Sequence, residues 1–149
     1  MKNLENNSRF NLPETGDSDE AAQKLNASEL GRLSNALRAI ASEVPGRGSV
    51  RQAMAFIIVA HANAMGSAIT LTDLKEMAGD DATGVALMGP ATARTLDTFL
   101  EPTKREPDAL GWIAQVPDED DRRRKFLVLT EVGTAVAQRF AAAFAREVA

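Results

Sequence analysis

One short segment, residues 121–133, constrains the fold more than any other part of this chain. It reads Asp-Arg-Arg-Arg-Lys-Phe-Leu-Val-Leu-Thr-Glu-Val-Gly. Four basic residues precede an apolar run typical of a β-strand, and Thr130 is a favourable N-cap for a following helix. Upstream, residues 110–116 have the composition of a partner strand, and Pro-Asp-Glu-Asp-Asp from Pro117 is typical of a turn. The segment therefore predicts a β-hairpin with a basic tip, followed by a helix.

This order is that of the wing in a winged-helix domain, and the segment resembles the wing of the MarR family of bacterial transcriptional regulators. The family's pattern is Asp-x-Arg, five further residues, then Leu-Thr-x-x-Gly. The chain matches every fixed position of that pattern, with Asp121, Arg123, Leu129, Thr130 and Gly133. Similar residues also open the wing and form the recognition helix of the family, as Leu110-Gly111-x-Ile113, Thr92-Ala93-Arg94-Thr95-Leu96 and Leu100-Glu101. The resemblance implies a mainly α fold with a small β-hairpin, in which a winged helix-turn-helix domain is flanked by N- and C-terminal helices.

The length of 149 residues and the 44% hydrophobic content fit one globular domain, which we place at residues 28–149. Residues 1–27 are rich in Asn, Ser, Asp and Glu, and their large apolar side chains are few: Leu4, Phe10, Leu12 and Leu25. So few apolar groups do not offset the entropy of ordering the segment. We expect a flexible N-terminal tail, with docking on a partner or on the domain itself as the alternative.

Composition argues against several classes of protein. The chain has no cysteine and no tyrosine and only one histidine, His61, and it lacks a phosphate-binding glycine motif, so we expect no enzyme and no cofactor. The absence of cysteine also excludes disulfides and thiol-based sensing and suits a reducing compartment. The carboxylates at 118–121 lack the spacing of a calcium loop and are followed by cations, so we expect no metal site. Because no apolar run is long enough for a membrane span, we expect a cytoplasmic protein.

The first predicted helix starts near Ser28 and ends at Pro45-Gly46. Its apolar residues recur at steps of three and four and form one stripe, Leu30, Leu33, Leu37, Ile40 and Val44. Two heptads do not decide whether this stripe packs on its own domain or on a second subunit. In the resembling family the first helix contributes to a dimer interface. Residues 49–65 predict a second helix, which serves as scaffold.

The helix-turn-helix is predicted between residues 69 and 100. A short strand at 69–71 precedes a helix that Thr72 caps and that ends at residue 78. The second helix, residues 90–100, starts with Pro90, which suits a first helical position. Its apolar face holds Ala93, Leu96 and Leu100. The residues that project elsewhere, and that we expect to contact DNA bases or phosphates, are Ala91, Thr92, Arg94, Thr95 and Thr98.

Two stretches depart from the family pattern. The connection at 80–88 is longer than the usual tight turn, and we expect its residues 85–88 to form an extra helical turn that packs inward. The stretch 102–109 is an insertion between the recognition helix and the wing. Lys104 and Arg105 either add phosphate contacts from this insertion or lie in a solvated loop.

The tip of the wing is locally neutral, because four acidic residues at 118–121 directly precede the basic residues. Pairing of acids with bases across the hairpin is one interpretation, although exposed pairs contribute only about 0 to 1 kcal/mol each. The resemblance implies a second one, in which Asp121 positions Arg123 while Arg122 or Arg124 and Lys125 face phosphates or the minor groove. We favour contact with DNA.

The last predicted helix follows Thr130 and carries apolar residues at a step of four, Val132, Val136, Phe140, Phe144 and Val148. Together with the first helix it forms the expected homodimer interface, made by Leu30, Leu33, Leu37, Ile40, Val136, Phe140 and Phe144. The favoured function is a sequence-specific DNA-binding regulator of transcription, a repressor, with recognition helix 90–100 and wing 117–125. The resemblance also implies a small-molecule effector between the dimerisation and DNA-binding parts. The alternative is a winged-helix module that binds a protein partner and has weak or no affinity for DNA.

Overall fold

The computed structural model describes residues 24–46 and 48–147, and it describes the backbone alone at residues 92 and 93. The elements in chain order are helices α1 (Ala27–Glu43) and α2 (Val50–Ala64), strand β1 (Ile69–Thr70), helices α3 (Leu71–Ala78) and α4 (Thr92–Asp97), strands β2 (Ile113–Pro117) and β3 (Lys125–Leu129), and helix α5 (Glu131–Ala145). The strands form one antiparallel sheet in the order β1-β3-β2. This is the predicted winged helix-turn-helix with flanking helices. Most of the predicted tail lies outside the described residues, and none of the described helices is long and apolar enough to cross a membrane.

Side-chain caps fix where the first two helices begin. Asn26 accepts a hydrogen bond from the Glu29 amide at 3.1 Å, so α1 begins at Ala27, one residue before the predicted start. Ser49 and Gln52 form a reciprocal capping box at the start of α2, which satisfies two backbone amides at once. Both signals are local, and the predicted helix bounds are therefore close to those observed.

The cap of α3 differs from the prediction, which placed it at Thr72. Thr70 is the N-cap: its hydroxyl accepts from the Asp73 amide at 3.2 Å, and the Asp73 carboxylate accepts from the Thr70 amide at 2.9 Å. Leu71 is consequently the first helical residue and not the end of a three-residue strand. Thr70 has a carboxylate three residues ahead of it and Thr72 does not, so only Thr70 forms the reciprocal pair.

The predicted inward helical turn at 85–88 is wrong. The connection after α3 is a small hairpin in which Asp80 and Ala86 form an isolated antiparallel bridge. The Asp81 carboxylate accepts from the Thr83 hydroxyl and from the amides of Thr83 and Val85, and these hydrogen bonds hold the pKa of Asp81 below its usual value. Val85 is exposed, and Met88 is the member of this stretch that is buried in the core.

Four aromatic rings tie the elements of the core together. Phe56 of α2 lies 5.0 Å from Trp112, 5.6 Å from Phe99 and 5.9 Å from Phe140, measured between ring centroids. Trp112 stacks on Phe99 at 5.4 Å. All four side chains are at most 5% exposed. Because these rings come from α2, from the chain after α4, from the start of the wing and from α5, the core fixes the wing relative to the helices.

Candidate nucleic-acid interface

The wing is the β2-β3 hairpin. Its strands pair from Ile113 opposite Leu129 to Pro117 opposite Lys125, which leaves residues 118–124 as the tip. The predicted partner strand began at residue 110, but residues 110–112 are not part of the strand. They hydrogen-bond instead to the chain that follows α4.

Backbone hydrogen bonds give the tip a defined shape. The Asp118 amide donates to the Arg124 carbonyl and the Arg124 amide donates to the Asp121 carbonyl, each at 2.9 Å. The Asp121 carboxylate accepts from the Arg123 amide at 3.1 Å, and the Asp118 carboxylate accepts from the Asp120 amide at 2.9 Å. Asp121 thus contacts Arg123 through the backbone, and within the described part of the chain the Arg123 guanidinium forms no ion pair. Two of the acidic residues have a structural role in the turn.

The basic side chains at the tip are exposed. Among the described residues, Arg139 and Glu43 form an ion pair between α5 and α1. The described residues form no ion pair, within 4.0 Å, with the basic side chains of the tip, Arg122, Arg123, Arg124 and Lys125. The interpretation in which acids and bases pair across the hairpin therefore has no support in the structure. Arg124 differs from its neighbours because its guanidinium lies over the Phe126 ring, with the carbon atom 5.8 Å from the ring centroid.

The recognition helix is shorter than predicted. The sequence predicts residues 90–100, whereas α4 spans only Thr92–Asp97, and Pro90 and Ala91 precede it. Arg94 and Ala91 are exposed, while Thr95 and Thr98 are half-buried. The Thr95 hydroxyl donates to the Ala91 carbonyl at 3.3 Å. The side chain of Thr92 lies outside the described part of the structure, so Arg94 is the one predicted groove contact of α4 that combines charge with described exposure.

Contacts with the base of the wing explain why α4 ends early. The Phe99 carbonyl accepts from the amides of Trp112 and Ile113 at 2.8 and 2.9 Å, and the Thr98 carbonyl accepts from the Leu110 amide at 2.8 Å. These carbonyls therefore bond to the wing and not to a further helical turn. The buried Phe99 was not singled out by the sequence analysis, since its partners follow more than ten residues later.

Thr130 and Gly133 join the wing to α5. The Thr130 hydroxyl donates to the Gly111 carbonyl at 2.6 Å and accepts from the Gly133 amide at 3.0 Å, while the Thr130 amide donates to the Trp112 carbonyl at 3.0 Å. A Cβ atom on Gly133 would lie 1.9 Å from that carbonyl oxygen. The Leu-Thr-x-x-Gly part of the sequence pattern therefore has a structural explanation in this chain: a hydroxyl cap, and a close approach that only glycine permits.

Asn63 is a positioning residue that the sequence analysis missed. It lies in α2, where its side-chain oxygen accepts from the Leu129 amide at 2.9 Å and its nitrogen donates to the carbonyls of Leu127 and Ser67 at 3.3 and 3.2 Å. It thereby holds the central strand of the sheet against α2. An asparagine inside a helix carries no local signal for such a role.

An open apolar groove of about 760 Å³ lies between α1, α2 and α5. Its apolar lining is drawn from all three helices and includes Leu33, Leu37, Ile57, Phe140 and Phe144. Asn63 and the exposed His61 are among its polar lining residues. Beside the groove, the Arg139 guanidinium binds the Glu43 carboxylate through two contacts of 3.1 Å from Nε and so links α5 to α1.

The residues predicted for a dimer interface fall into two groups. Leu30, Leu33, Leu37 and Phe144 are about half exposed, at 49 to 51%. Val136 and Phe140 are 2% and 5% exposed, because their side chains fill the core of their own chain. Both are therefore core residues of their own chain, Phe140 also lines the groove between α1, α2 and α5, and their part in a dimer interface stays a prediction. Ile40 is half-buried against the same core.

Among the described residues no group of three or more acidic or histidine side chains is placed to hold a metal ion. No protein-family model and no curated protein matches the chain. Among solved structures, the chain is similar to the crystal structure of the heme sensor protein PefR from Streptococcus agalactiae in complex with heme, with a TM-score of 0.45 and 20% identity over 76% of this chain and 67% of that chain. The element order and sheet pairing of the chain itself define the winged helix.

Proposed function

We propose that this chain is a DNA-binding regulator of transcription related to the MarR family, and a repressor. The observation that carries the proposal is the tip of the wing, where Arg122 and Arg123 are exposed and form no ion pair with the described residues, on a turn whose backbone is fixed by Asp118 and Asp121. Cations held at the end of a hairpin suit the phosphate backbone or the negative potential of a narrow minor groove. Arg94 on α4 would read the adjacent major groove, where arginine binds guanine through two hydrogen bonds.

The functional unit that we propose is a homodimer. Leu30, Leu33 and Leu37 on α1 and Phe144 on α5 form an exposed apolar surface, which a second copy of the chain would cover. Two copies related by a twofold axis would place their recognition helices in successive major grooves, about 34 to 36 Å apart. The partner would also close the open side of the groove, leaving an enclosed apolar space for a small, uncharged effector.

One observation favours a second candidate function, a module that binds a protein partner. The recognition helix has six residues, and Arg94 is its one basic residue. Phosphate contacts from the wing alone would give binding without sequence specificity. In that case the exposed apolar surface of α1 and α5 is the main binding surface of the molecule.

Fluorescence anisotropy with labelled DNA from the region upstream of the protein's own gene tests the proposal. Titrations at two or more salt concentrations, with unrelated DNA as competitor, compare the wild type with Arg123→Ala. Each phosphate contact contributes about 0.9 to the slope of log K against log salt, so we expect Arg123→Ala to lower that slope by about this amount. Arg38→Ala, which removes an exposed arginine from α1, is the matched control and should leave the slope unchanged.

The outcomes separate the two candidates. Specific binding that weakens in Arg123→Ala and not in Arg38→Ala supports the regulator. Equal affinity for upstream and unrelated DNA contradicts sequence specificity. Absence of binding to either DNA at low salt contradicts DNA binding altogether and favours the protein-binding module.

A further inference from the structure

Arg124 stands apart from the other cations of the wing. Its guanidinium carbon lies 5.8 Å from the centroid of the Phe126 ring, within the range of a cation–π interaction. Arg122 and Arg123 make neither an ion pair nor a ring contact with any residue in the described part of the chain. The Arg124 side chain is therefore directed towards Phe126, away from the end of the tip.

Phe126 lies at the junction of the wing with the helix-turn-helix. In the pairing of β1 with β3 it is directly opposite Thr70, the residue that caps α3. Directly opposite residues in an antiparallel pair have their Cβ atoms about 4.5 to 5.5 Å apart, so their side chains interact. The contact between Arg124 and Phe126 consequently lies beside the first turn of α3.

Arg124 also lies near the start of α3. Asp73 completes the capping box of that helix. The pKa of its carboxyl group is lowered mainly by the hydrogen bond from the Thr70 amide, next by that of the Thr70 hydroxyl, and to a smaller extent by the charge of Arg124. A cleft of about 490 Å³ separates the start of α3 from the wing, and Thr70, Asp73 and Arg124 are among its lining residues. Arg123 and Lys125 line the same cleft, and Arg124 is the one of these three whose guanidinium also lies over an aromatic ring of the described chain.

Within the sheet, a short ladder joins the wing to the helix-turn-helix. Strand β1 has two residues, and its pairs with β3 are Ile69 with Leu127 and Thr70 with Phe126. The tip at 118–124 lies beyond the last of these pairs. The core contacts of Trp112 and the hydrogen bond from Leu129 to Asn63 fix the base of the wing, and the contact of Arg124 with Phe126 lies closer to its tip.

We infer that Arg124 is a positioning residue, which holds the wing at a fixed angle to α3 by packing its guanidinium on Phe126 beside the capped start of that helix. It acts on DNA through Arg122 and Arg123, whose placement it sets. The consequence for DNA rests on the proposed function, whereas the effect on the wing is a property of the free protein.

Backbone ¹⁵N relaxation of the full chain without DNA tests the positioning. In the wild type and in the matched control Arg122→Ala, which removes an exposed arginine that does not line the cleft, we expect order parameters of about 0.85 for the amides of the tip. In Arg124→Ala and in Phe126→Leu, which removes the ring and keeps an apolar side chain, we expect values that fall towards about 0.6. Unchanged order parameters in Arg124→Ala would overturn the inference.

A double-mutant cycle on DNA affinity provides the second arm. We expect Arg124→Ala to weaken binding about two- to fivefold in the wild-type background, with an unchanged salt slope, and to have no further effect in Phe126→Leu. A salt slope lowered by about 0.9, with the same loss in both backgrounds, would make Arg124 a phosphate contact and overturn the inference. If the wild type binds no DNA, the proposed function fails while the relaxation measurement still decides the role of Arg124.

Discussion

The side-chain oxygen of Asn63 accepts a hydrogen bond from the Leu129 amide at 2.9 Å, which joins helix α2 to strand β3 of the wing. The same asparagine lines the apolar groove between α1, α2 and α5. One residue therefore contacts both the groove and the central strand of the sheet. A molecule that displaced Asn63 from within the groove would also release Leu129.

Replacing Asn63 by alanine should destabilise the fold. The substitution leaves the Leu129 amide and the Leu127 carbonyl without their side-chain partner, and an unsatisfied buried polar group costs about 1 to 3 kcal/mol. Urea unfolding followed by circular dichroism measures the change. Asn35→Ala is the matched control, because Asn35 is half-buried in α1 and its side chain forms no hydrogen bond in the described structure. Equal losses in the two variants would contradict the role of Asn63.

Gly133→Ala should be severely destabilising. The added Cβ would lie 1.9 Å from the Trp112 carbonyl oxygen and 2.7 Å from its carbon, and both atoms belong to the backbone. We expect a loss of at least about 3 kcal/mol in the free energy of unfolding, or no soluble protein. Gly46→Ala adds the same atom where no other atom lies within 4 Å and should be tolerated. A Gly133→Ala variant as stable as Gly46→Ala would show that the wing and α5 separate easily.

Leu33→Glu and Leu37→Glu should convert a dimer into monomers. A carboxylate at the centre of an apolar interface loses its hydration without gaining a partner, which strongly disfavours association. Sedimentation velocity at several protein concentrations measures the oligomeric state. Ser42→Glu introduces the same charge at an exposed position on a different side of α1 and should leave the dimer intact. Dimers that persist in both leucine variants would exclude this surface as the interface.

Arg94→Ala should reduce sequence specificity more than overall affinity. An arginine that binds a guanine through two hydrogen bonds contributes about 1 to 3 kcal/mol of discrimination, whereas a phosphate contact contributes equally on all sequences. Anisotropy titrations on specific and unrelated DNA give the two affinities. A loss of equal size on both DNAs would indicate that Arg94 contacts phosphate and does not read bases.

Asp73→Asn should flatten the dependence of stability on acidic pH. Because hydrogen bonds from Thr70 lower the folded pKa of Asp73, its contribution is present above the unfolded pKa of about 4 and is lost as pH falls through the folded value. The stability advantage of the wild type over Asp73→Asn should therefore shrink between about pH 5 and pH 3. Asp108→Asn, an exposed loop carboxylate with no hydrogen bond in the described structure, should follow the wild type at both pH values.

The parts of the fold that the sequence predicted are those with local signals. Thr130 marks the start of α5, and the leucine stripe marks α1, because caps and helical periodicity depend on neighbours within a few positions. The cap of α3 also has a local signal in the sequence. Thr70 and Asp73 have the spacing of a reciprocal cap, and Thr72 has no acidic residue at that spacing.

The features that the sequence did not predict depend on partners far along the chain. Helix α4 ends because the Phe99 carbonyl bonds to Trp112 and Ile113, and Asn63 owes its role to a strand more than sixty positions away. The core positions of Val136 and Phe140 likewise follow from rings contributed by other elements. Apolar periodicity shows which residues share a helix face, and it does not show what covers that face.

Helix α5 is synthesised after the other helices and strands of the described fold, and it brings Val136 and Phe140, two side chains of the core. During synthesis, α1 and α2 therefore exist for a time with their inner faces open to water. The core of the nascent chain lacks the Phe140 ring until residue 140 has emerged. The stretch from Thr130 onward thus completes the core. A ribosome that stalls in the wing would hold a chain in which α1 and α2 lack the side chains of α5 against which they pack.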